Sequence, residues 1–559
     1  MPRSALIAFV AGLAVAPAGA LALAPAAHAQ SSATGRLLVT LRPAAQHPSH
    51  ASAAALARAA DARLAGFSVP QLRLVTLRPR ARHGTRALAA RLRADPRVAR
   101  VEVEHRARLR FQPNDPALTM PETAVGTAPG TAVQWWAARS NFPLAWDVST
   151  GQGAVVAVID TGTETSHPEL ADRLVRAESF DATRSGATVD YVGHGTHVAS
   201  LACGAGNNGV GLAGAGLRCR LLIAKVDLSD SSVAAAIVWA VDHGADAINM
   251  SFGTDPDVQF SRTVRDAVDY AFDRGVVMAA AAADAPIAEQ GYPANLLQPT
   301  GTGSDLAAGK GLSVTAADAF DRRASFAGLG SQISLAAYGA YEPSGPGPAG
   351  IFGAFTGGLN ELETGSLIPP PRPPCGCRTA FAGDPRYAYI QGTSMAAPMV
   401  AATAALVARL NPDLGVARIL RLLKETARRP AGAGWNAELG WGILDAGAAL
   451  TRAAASDGRA PSSRASALPA RTRRRTITVR WRGADKGPAG VRVSGISRYE
   501  VWRSTDGRRF RRLSTTRRTA RDVTLRRGGR YAFYTVAIDR AGNREPAPKR
   551  PDTRVTRVR

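Results

Sequence analysis

The sequence contains an aspartate, a histidine and a serine whose surroundings suit nucleophilic catalysis. Asp160 ends the apolar run 156–159 and precedes Thr-Gly, which predicts a carboxylate in a turn at the carboxyl end of a buried strand. His194 lies in Gly-His-Gly-Thr-His and Ser394 in Gly-Thr-Ser-Met-Ala, each before small or apolar residues that predict a helix. A serine that is deprotonated by a histidine, itself oriented by a carboxylate, can attack a carbonyl carbon.

Each of these segments has an ordinary explanation when it is taken alone. Asp-Thr-Gly also occurs in aspartic proteases, but those need a second carboxylate in a matching turn, and the sequence holds one Asp-Thr-Gly. His194 and His197 could ligate a metal, but the glutamate that zinc peptidases place between two histidines is absent. Ser394 could be a helix N-cap. The order Asp160, His194, Ser394 favours one catalytic triad over three coincidences.

Charge is distributed unevenly along the 559 residues, whose net charge is +25. Residues 451–559 hold 30 Lys and Arg against 8 Asp and Glu, and residues 31–110 hold 16 against 4. Residues 111–450 hold 22 against 32 and are therefore acidic. Opposite fields of this kind favour association between segments or with polyanions, but they do not determine a fold.

The N-terminus has the pattern of an export signal. Arg3 precedes an apolar run over 5–15, and Ala27-His28-Ala29 offers small residues for cleavage, so we interpret residues 1–29 as a signal peptide. A transmembrane anchor is the alternative, but the run is rich in Ala and Gly and is interrupted by proline. No later stretch approaches the roughly 20 apolar residues of a membrane span. We expect a secreted, extracellular protein without a membrane span.

Export permits disulfides, and the chain has four cysteines. Cys203 and Cys219 bracket a short loop and could pair, whereas Cys375-Gly376-Cys377 is too tight for an easy bridge. Zinc is the alternative, but the spacing of His and Cys ligands is absent, so we expect no metal site of this kind.

Composition and periodicity divide the chain into domains of different class. Apolar strands that alternate with helical stretches predict an α/β fold with a parallel sheet flanked by helices in the central region. In the N-terminal region the order is βαβαβ, with helical spacing over residues 51–64. The expected regions are a small α/β domain (30–110), the central domain (111–450) with a Pro/Gly-rich surface insertion (340–390), an Ala/Ser/Arg linker (451–474) and a β-sandwich (475–559).

Taken together, these segments resemble the subtilisin family over roughly residues 35–450. Asp-His-Ser is the chain order of that family. His167-Pro168-Glu169-Leu170 and Gly440-Trp441-Gly442 also agree with it. The resemblance implies a subtilisin-like parallel sheet and a serine endopeptidase made as a self-processed zymogen. Residues 30–110 would be its ferredoxin-like, inhibitory propeptide. Separately, residues 534–543 are similar to bacterial fibronectin type III-like modules.

The resemblance also implies roles for individual residues. Asp160, His194 and Ser394 would form the triad, and the backbone N–H of Ser394 would donate to the oxyanion. No cofactor would be required. Structural calcium is common in relatives, although no calcium-binding loop can be identified in this sequence. Protein or peptide substrates, the propeptide and an anionic cell-surface polymer, through the basic C-terminal module, are the expected partners. The residues expected at the substrate are Ser251, Phe252, Gly253, Ala281, Ala282, Ala283 and Gly291.

One position departs from the family pattern. Asp284 stands where the family has the asparagine whose amide completes the oxyanion hole. An ionised carboxylate cannot donate there and would repel the oxyanion, whereas a protonated carboxyl could donate. The alternative hypothesis is therefore a binding protein on a subtilisin scaffold with impaired catalysis, although the intact triad argues against it.

Overall fold

The computed structural model gives the fold of most of the chain, which divides into two compact units, Met1–Leu109 and Arg110–Arg559. The expected signal peptide, residues 1–29, lies outside the described residues. The structure describes residues 32–559 apart from 44–49, 81–83, 107–110, 185, 260, 367–373, 487–493, 507, 556 and 559.

The N-terminal unit is a small α/β domain. Its elements are β1 (Ser32–Leu41), α1 (His50–Ala59), β2 (Ala62–Leu64), β3 (Leu74–Pro79), α2 (Thr85–Ala94) and β4 (Val98–Arg106). The antiparallel sheet has the order β2-β3-β1-β4. The helix predicted over 51–64 is too long, because Asp61 has a φ of 52° and the chain then continues as strand β2.

The larger unit is built on a seven-stranded parallel sheet, which confirms the predicted α/β class. Near-continuous apolar runs form its strands, as burial on both faces requires. The strands are β5 (Val155–Asp160), β6 (Leu174–Phe180), β7 (Arg220–Val226), β8 (Ala247–Met250), β9 (Val277–Ala281), β10 (Leu312–Ala317) and β11 (Leu335–Tyr338). Their order is β11-β10-β9-β8-β5-β7-β6.

Helices cover both faces of this sheet. They are α3 (Trp135–Arg139), α4 (Phe142–Val148), α5 (His194–Cys203), α6 (Asp230–Asp242), α7 (Arg262–Asp273), α8 (Ala294–Leu297), α9 (Glu361–Thr364), α10 (Thr393–Leu410), α11 (Val416–Thr426) and α12 (Ala446–Ala455). Val156 and Val158 of β5 pack in one core cluster with α5 and α10. Ala157 and Ile159 point the other way, into a second cluster with α6 and α7.

Helix α10 is the one helix among the described residues that is long and apolar enough to cross a membrane. The sequence predicts no such segment after the N-terminus. In this fold 78% of the helix is buried, so its apolar side chains belong to the protein core.

The expectation that residues 340–390 lie at the surface is wrong. The region forms a three-stranded antiparallel sheet of β12 (Ile351–Ala354), β13 (Arg378–Phe381) and β14 (Asp384–Ile390). Phe352 and Tyr387 are buried and stacked, with ring centroids 5.0 Å apart. The Ala354 N–H donates to Ser200 Oγ of α5 at 3.0 Å. The abundance of Pro and Gly hid these aromatic residues; four of the nine prolines fall in 367–373, outside the described residues.

The C-terminal region consists of short strands, and the linker expected over residues 451–474 is also wrong. Helix α12 continues to Ala455, and β15 pairs with β17, whose buried residues alternate through Ile477, Val479 and Trp481. The strands are β15 (Ser462–Ala465), β16 (Arg471–Thr472), β17 (Thr476–Ala484), β18 (Ile496–Ser504), β19 (Phe510–Thr516), β20 (Ala520–Thr524), β21 (Tyr531–Asp539), β22 (Thr553–Val555) and β23 (Arg557–Val558).

The cysteines are paired within the larger unit. Cys203 and Cys219 are joined, with their Cα atoms 5.3 Å apart. Cys375 and Cys377 are joined as well, although the sequence analysis considered this pair too tight for an easy bridge.

Candidate active site

A cleft of about 430 Å³ opens where several elements of the larger unit end. Strand β5 ends at Asp160, β8 ends just before Ser251, and β9 ends at Ala281. Helix α5 begins at His194, and Ser394 is the second residue of α10. In an open parallel sheet, ligand sites form outside the carboxyl ends of the strands. The cleft contains every site residue proposed from sequence: Asp160, His194, Ser251, Phe252, Gly253, Ala281, Ala282, Ala283, Asp284, Gly291 and Ser394.

Asp160 and His194 form a hydrogen-bonded pair. Asp160 Oδ1 accepts from His194 Nδ1 at 2.7 Å and from the Thr161 N–H at 2.8 Å. The Asp160 side chain is 3% exposed, whereas His194 is 21% exposed. Burial lowers the pKa of His194, but the charge and hydrogen bond of Asp160 outweigh it, and the charges of Asp190 and Asp284 add to the rise. The net direction of the His194 pKa is upward.

A further carboxylate, Asp190, holds the loop before His194, and the sequence analysis missed it. Asp190 Oδ1 accepts from the Gly193 N–H at 2.9 Å and from Thr161 Oγ1 at 2.9 Å. Its Oδ2 accepts from the N–H and hydroxyl of Thr196. Asp190 therefore connects the turn after β5 to the first turn of α5. The only sign of this role in the sequence is an acidic residue four positions before His194.

Glycine at position 195 allows α5 to approach the turn after β5. A Cβ on Gly195 would lie 2.1 Å from the carbonyl oxygen of Gly162. A Cβ atom cannot lie so close to a carbonyl oxygen. The helix that carries His194 can therefore pack against the turn that carries Asp160 only because residue 195 is glycine.

Ser394 lies opposite the end of β8 and exchanges two hydrogen bonds with Ser251. Ser394 Oγ donates to the Ser251 carbonyl at 3.0 Å, and Ser251 Oγ donates to the Ser394 carbonyl at 2.8 Å. The amide of Asn249 donates to Ser251 Oγ at 2.9 Å, which fixes the second bond. Within the described residues, no hydrogen bond joins Ser394 Oγ to His194. The N–H of Ser394 belongs to the first turn of α10, where N–H groups have no acceptor within the helix.

The expected substrate-binding residues form two walls of the cleft. Ser251, Phe252 and Gly253 continue the chain beyond β8, and residues 281–283 end β9. A Cβ on Gly291 would lie 1.8 Å from the Thr254 carbonyl oxygen, so this glycine permits a close contact between two segments of one wall.

Asp284 lies beside the start of α10 and accepts hydrogen bonds there. Its Oδ1 accepts from the Thr393 N–H at 2.8 Å and lies 2.8 Å from the Thr393 hydroxyl. A Cβ on Gly392 would lie 3.1 Å from Asp284 Oδ2. The carboxylate thus interacts with the positive end of the helix that carries Ser394. This contact explains why an acidic residue is tolerated, but it leaves Oδ2 as an acceptor beside the cleft.

His197 does not share a ligand site with His194. Its Nε2 donates to the Ile351 carbonyl at 3.0 Å, and the side chain is fully buried. Burial, with a smaller effect of the His194 charge, lowers the pKa of His197 to about 3. His197 is a neutral core histidine that connects α5 to β12.

Two buried carboxylates outside the cleft have the chemistry of a calcium site. Glu169 is fully buried; its Oε1 accepts from the Leu212 N–H at 2.9 Å, and its Oε2 has no hydrogen-bond partner among the described residues. Burial, to which the charge of Asp115 adds, raises the pKa of Glu169 to about 8. Asp115 accepts from the Asn207 N–H at 2.7 Å. An oxygen-only set around an unpaired buried carboxylate oxygen fits Ca²⁺.

Comparison with known proteins gives consistent matches. The Subtilase family profile matches residues 151–442. The chain is 28% identical to thermitase of Thermoactinomyces vulgaris over 332 residues, 58% of this chain and 94% of thermitase. It is 31% identical to the thermophilic serine proteinase of Bacillus sp. (strain AK1) over 298 residues, 52% of this chain and 60% of that protein. It is also 31% identical to the extracellular protease of Xanthomonas campestris pv. campestris over 405 residues, 65% of this chain and 60% of that protein.

Proposed function

Because the chain belongs to the subtilase family, a family of serine peptidases, we propose that it is a secreted endopeptidase with the triad Asp160, His194 and Ser394. The observation that carries the proposal is the 2.7 Å hydrogen bond between His194 and Asp160 in the cleft that Ser394 also lines. Such a pair is what a serine nucleophile needs as its base. The substrates are proteins or peptides.

The proposed reaction starts when the Ser394 hydroxyl turns from the Ser251 carbonyl towards His194. His194 takes the proton as Ser394 Oγ attacks the scissile carbonyl, and Asp160 stabilises the resulting imidazolium. His194 then protonates the leaving amine, and water hydrolyses the acyl-enzyme by the same steps. An extended peptide would pair with the backbone of residues 251–253, which continue strand β8.

The developing oxyanion would be stabilised by the N–H of Ser394 at the positive end of α10. Asp284 lies where a second donor would be needed. The proposed enzyme therefore works with an incomplete oxyanion hole, and its rate is lower than that of a chain with a donor at this position.

Calcium would have a structural role. Glu169, Asp115 and the neighbouring Asn208 are the residues that would hold it, and the ion would neutralise carboxylates that burial otherwise leaves unpaired.

Maturation is also part of the proposal. Residues 30–110 would act as an inhibitory propeptide that the enzyme removes from itself in the segment 105–113. Residues 107–110 of that segment lie outside the described residues.

Hydrolysis by the purified, secreted protein tests the proposed function. A peptidase cleaves a chromogenic peptide and is inactivated by a fluorophosphonate, a reagent that reacts with activated serines. The alternative, a binding protein on this scaffold, retains peptides without cleaving them. Absence of both cleavage and inactivation at every pH from 5 to 10 would favour the binding protein.

The pH dependence of kcat/KM should show the raised pKa of His194. The base must be neutral, so activity falls as the pH decreases through that pKa. Because Asp160 raises the pKa above the usual 6.5, the acid limb should have its midpoint above 6.5. A kcat/KM profile on one peptide measures it, with return to pH 8 as a control for irreversible loss. A midpoint at or below 6.5 would contradict a His194 pKa that is raised by Asp160.

The basic C-terminal region should bind anionic cell-surface polymer. Residues 451–559 carry 30 basic against 8 acidic residues. Deletion should begin after Asp457, because Ala453 is buried and α12 packs in the catalytic core. A chain without residues 460–559 should keep peptidase activity within about twofold. It should also lose retention on an anionic polymer at low salt, where charges are least screened. If the full-length and the shortened chain are retained equally, the C-terminal region does not bind the polymer.

A further inference from the structure

Three carboxylates from distant parts of the sequence converge where the last helix of the catalytic region meets the C-terminal strands. Asp457 follows α12, Asp485 follows β17 and Asp539 ends β21. One oxygen atom of each lies within 4.8 Å of the others. Asp457 is 5% exposed and Asp539 1% exposed. Three negative charges at this separation repel one another strongly in a largely buried place.

The hydrogen bonds of these carboxylates leave oxygen atoms unused. Asp457 Oδ2 accepts from the Ser494 N–H at 2.6 Å, and Asp485 Oδ2 accepts from the Gly495 N–H at 2.6 Å. The Oδ1 atoms of Asp457 and Asp485 are both buried and have no hydrogen-bond partner among the described residues. A buried carboxylate oxygen without a partner is costly, so a nearby positive charge is expected.

No side chain in the described part of the chain supplies that charge by an ion pair within 4.0 Å of these carboxylates. The Arg418 guanidinium lies close, but it donates to the backbone carbonyl of Asp457 at 2.9 Å and to Asn543 Oδ1 at 2.8 Å. Asn543 in turn donates its side-chain amide to Asp539 Oδ2 at 2.7 Å. These groups position the cluster without neutralising it.

Glu500, in the same region, shows the opposite arrangement, because its carboxylate is paired with arginine. Glu500 accepts from both Arg512, at 2.8 Å, and Arg544, at 2.7 Å. Residues 451–559 hold 30 basic and 8 acidic residues, so arginine partners are abundant there. Three of the eight acidic side chains nevertheless face one another.

We propose that Asp457, Asp485 and Asp539 bind one divalent cation of the hard, oxygen-preferring class, with Ca²⁺ as the matching ion. Calcium takes oxygen ligands at roughly 2.3–2.6 Å, so ligand atoms on opposite sides of the ion lie up to about 5 Å apart, and 4.8 Å agrees with this. The cation would tie Asp457, on the catalytic side, to β17 and β21. It is separate from the calcium site proposed at Glu169 and Asp115, which involves none of these residues.

Calcium titration of the full-length chain tests this site. The chain carries Ser394→Ala, so it cannot digest itself and the test does not depend on peptidase activity. After removal of divalent ions, calorimetric titration with CaCl₂ should show one site fewer in the double variant Asp485→Asn, Asp539→Asn. The control variant Asp522→Asn removes one negative charge, as each of the two substitutions does, from an exposed residue of the same region, which is hydrogen-bonded to Thr478. It should keep the parent's stoichiometry.

Hydrogen exchange gives a local readout that does not depend on counting sites. At a calcium concentration ten times Kd, the amides of Ser494, Gly495 and Asn543 should exchange about tenfold more slowly in the parent and the control. The double variant should show no such change. If it does not fold, Asp485→Asn alone, at a half-buried position, provides the comparison. Equal stoichiometry and equal protection in parent and variant would overturn the proposal.

Discussion

Replacing Ser394 with alanine should reduce kcat for peptide hydrolysis by roughly four to six orders of magnitude, because the nucleophile is lost while the rest of the cleft remains. Ser394 Oγ makes its hydrogen bond to the Ser251 carbonyl at 3.0 Å, at the surface of the cleft, so its removal should change folding stability little. The same variant should retain the N-terminal region, because self-cleavage needs the same serine. Peptide hydrolysis and the N-terminal sequence of the secreted protein measure the two effects.

Ser261→Ala is a matched control for this experiment. Ser261 is a true helix N-cap, whose Oγ accepts from the Val264 N–H at the start of α7, away from the cleft. Its loss should cost about 1 kcal/mol of stability and leave kcat unchanged. If Ser394→Ala behaves like Ser261→Ala, with activity preserved, Ser394 is not the nucleophile. If Ser394→Ala loses its N-terminal region in a protease-free host as the parent does, the enzyme does not remove that region itself.

Replacing Asp284 with asparagine should raise kcat by about 10²–10³-fold at alkaline pH, with a smaller change in KM. Asparagine keeps an oxygen to accept from the Thr393 N–H, as Asp284 Oδ1 does at 2.8 Å. It also puts an NH₂ group in place of the Oδ2 acceptor.

A second effect of this substitution is specific to charge. Burial and Asp160 have the largest effects on the pKa of His194, and the charge of Asp284 adds to the rise. Asp284→Asn should therefore move the acid limb of kcat/KM to lower pH. Asp284→Ala, which has neither charge nor donor, should give an intermediate kcat at alkaline pH.

Asp255→Asn separates a local effect from a general change of charge in the cleft. Asp255 also lines the cleft, and its replacement removes the same charge. It should leave kcat within about twofold, since no donor is gained at the oxyanion. If Asp284→Asn is no faster than the parent at any pH, or if Asp255→Asn gives the same gain, the assignment of Asp284 to the oxyanion hole is wrong.

The α/β class and the cleft residues could be predicted from sequence because each motif is short and local. The apolar run before Asp160 specifies a buried strand, and the small residues after His194 and Ser394 specify helices. Parallel strands end at one edge of the sheet, so residues placed at strand ends and helix starts meet there. The segment that ends in Asp284 could be aligned for the same reason.

Features that depend on tertiary contacts could not be predicted. Asp190 acts through backbone N–H groups of a loop, and nothing in a single sequence marks which N–H groups a carboxylate will meet. Composition misrepresented residues 340–390, whose buried aromatic residues pair across strands. Asp457 and Asp539 of the cluster with Asp485 lie 82 positions apart in the sequence, and only the folded chain brings these side chains together.

The central claim is that Ser394 is a nucleophile activated by His194 and Asp160. Its most direct test is to label the purified chain with a fluorophosphonate, digest it, and locate the added mass by tandem mass spectrometry. The account predicts one label per molecule, on Ser394, and labelling that slows by orders of magnitude in His194→Ala. A label on another serine, or equal labelling of the parent and His194→Ala, would contradict it.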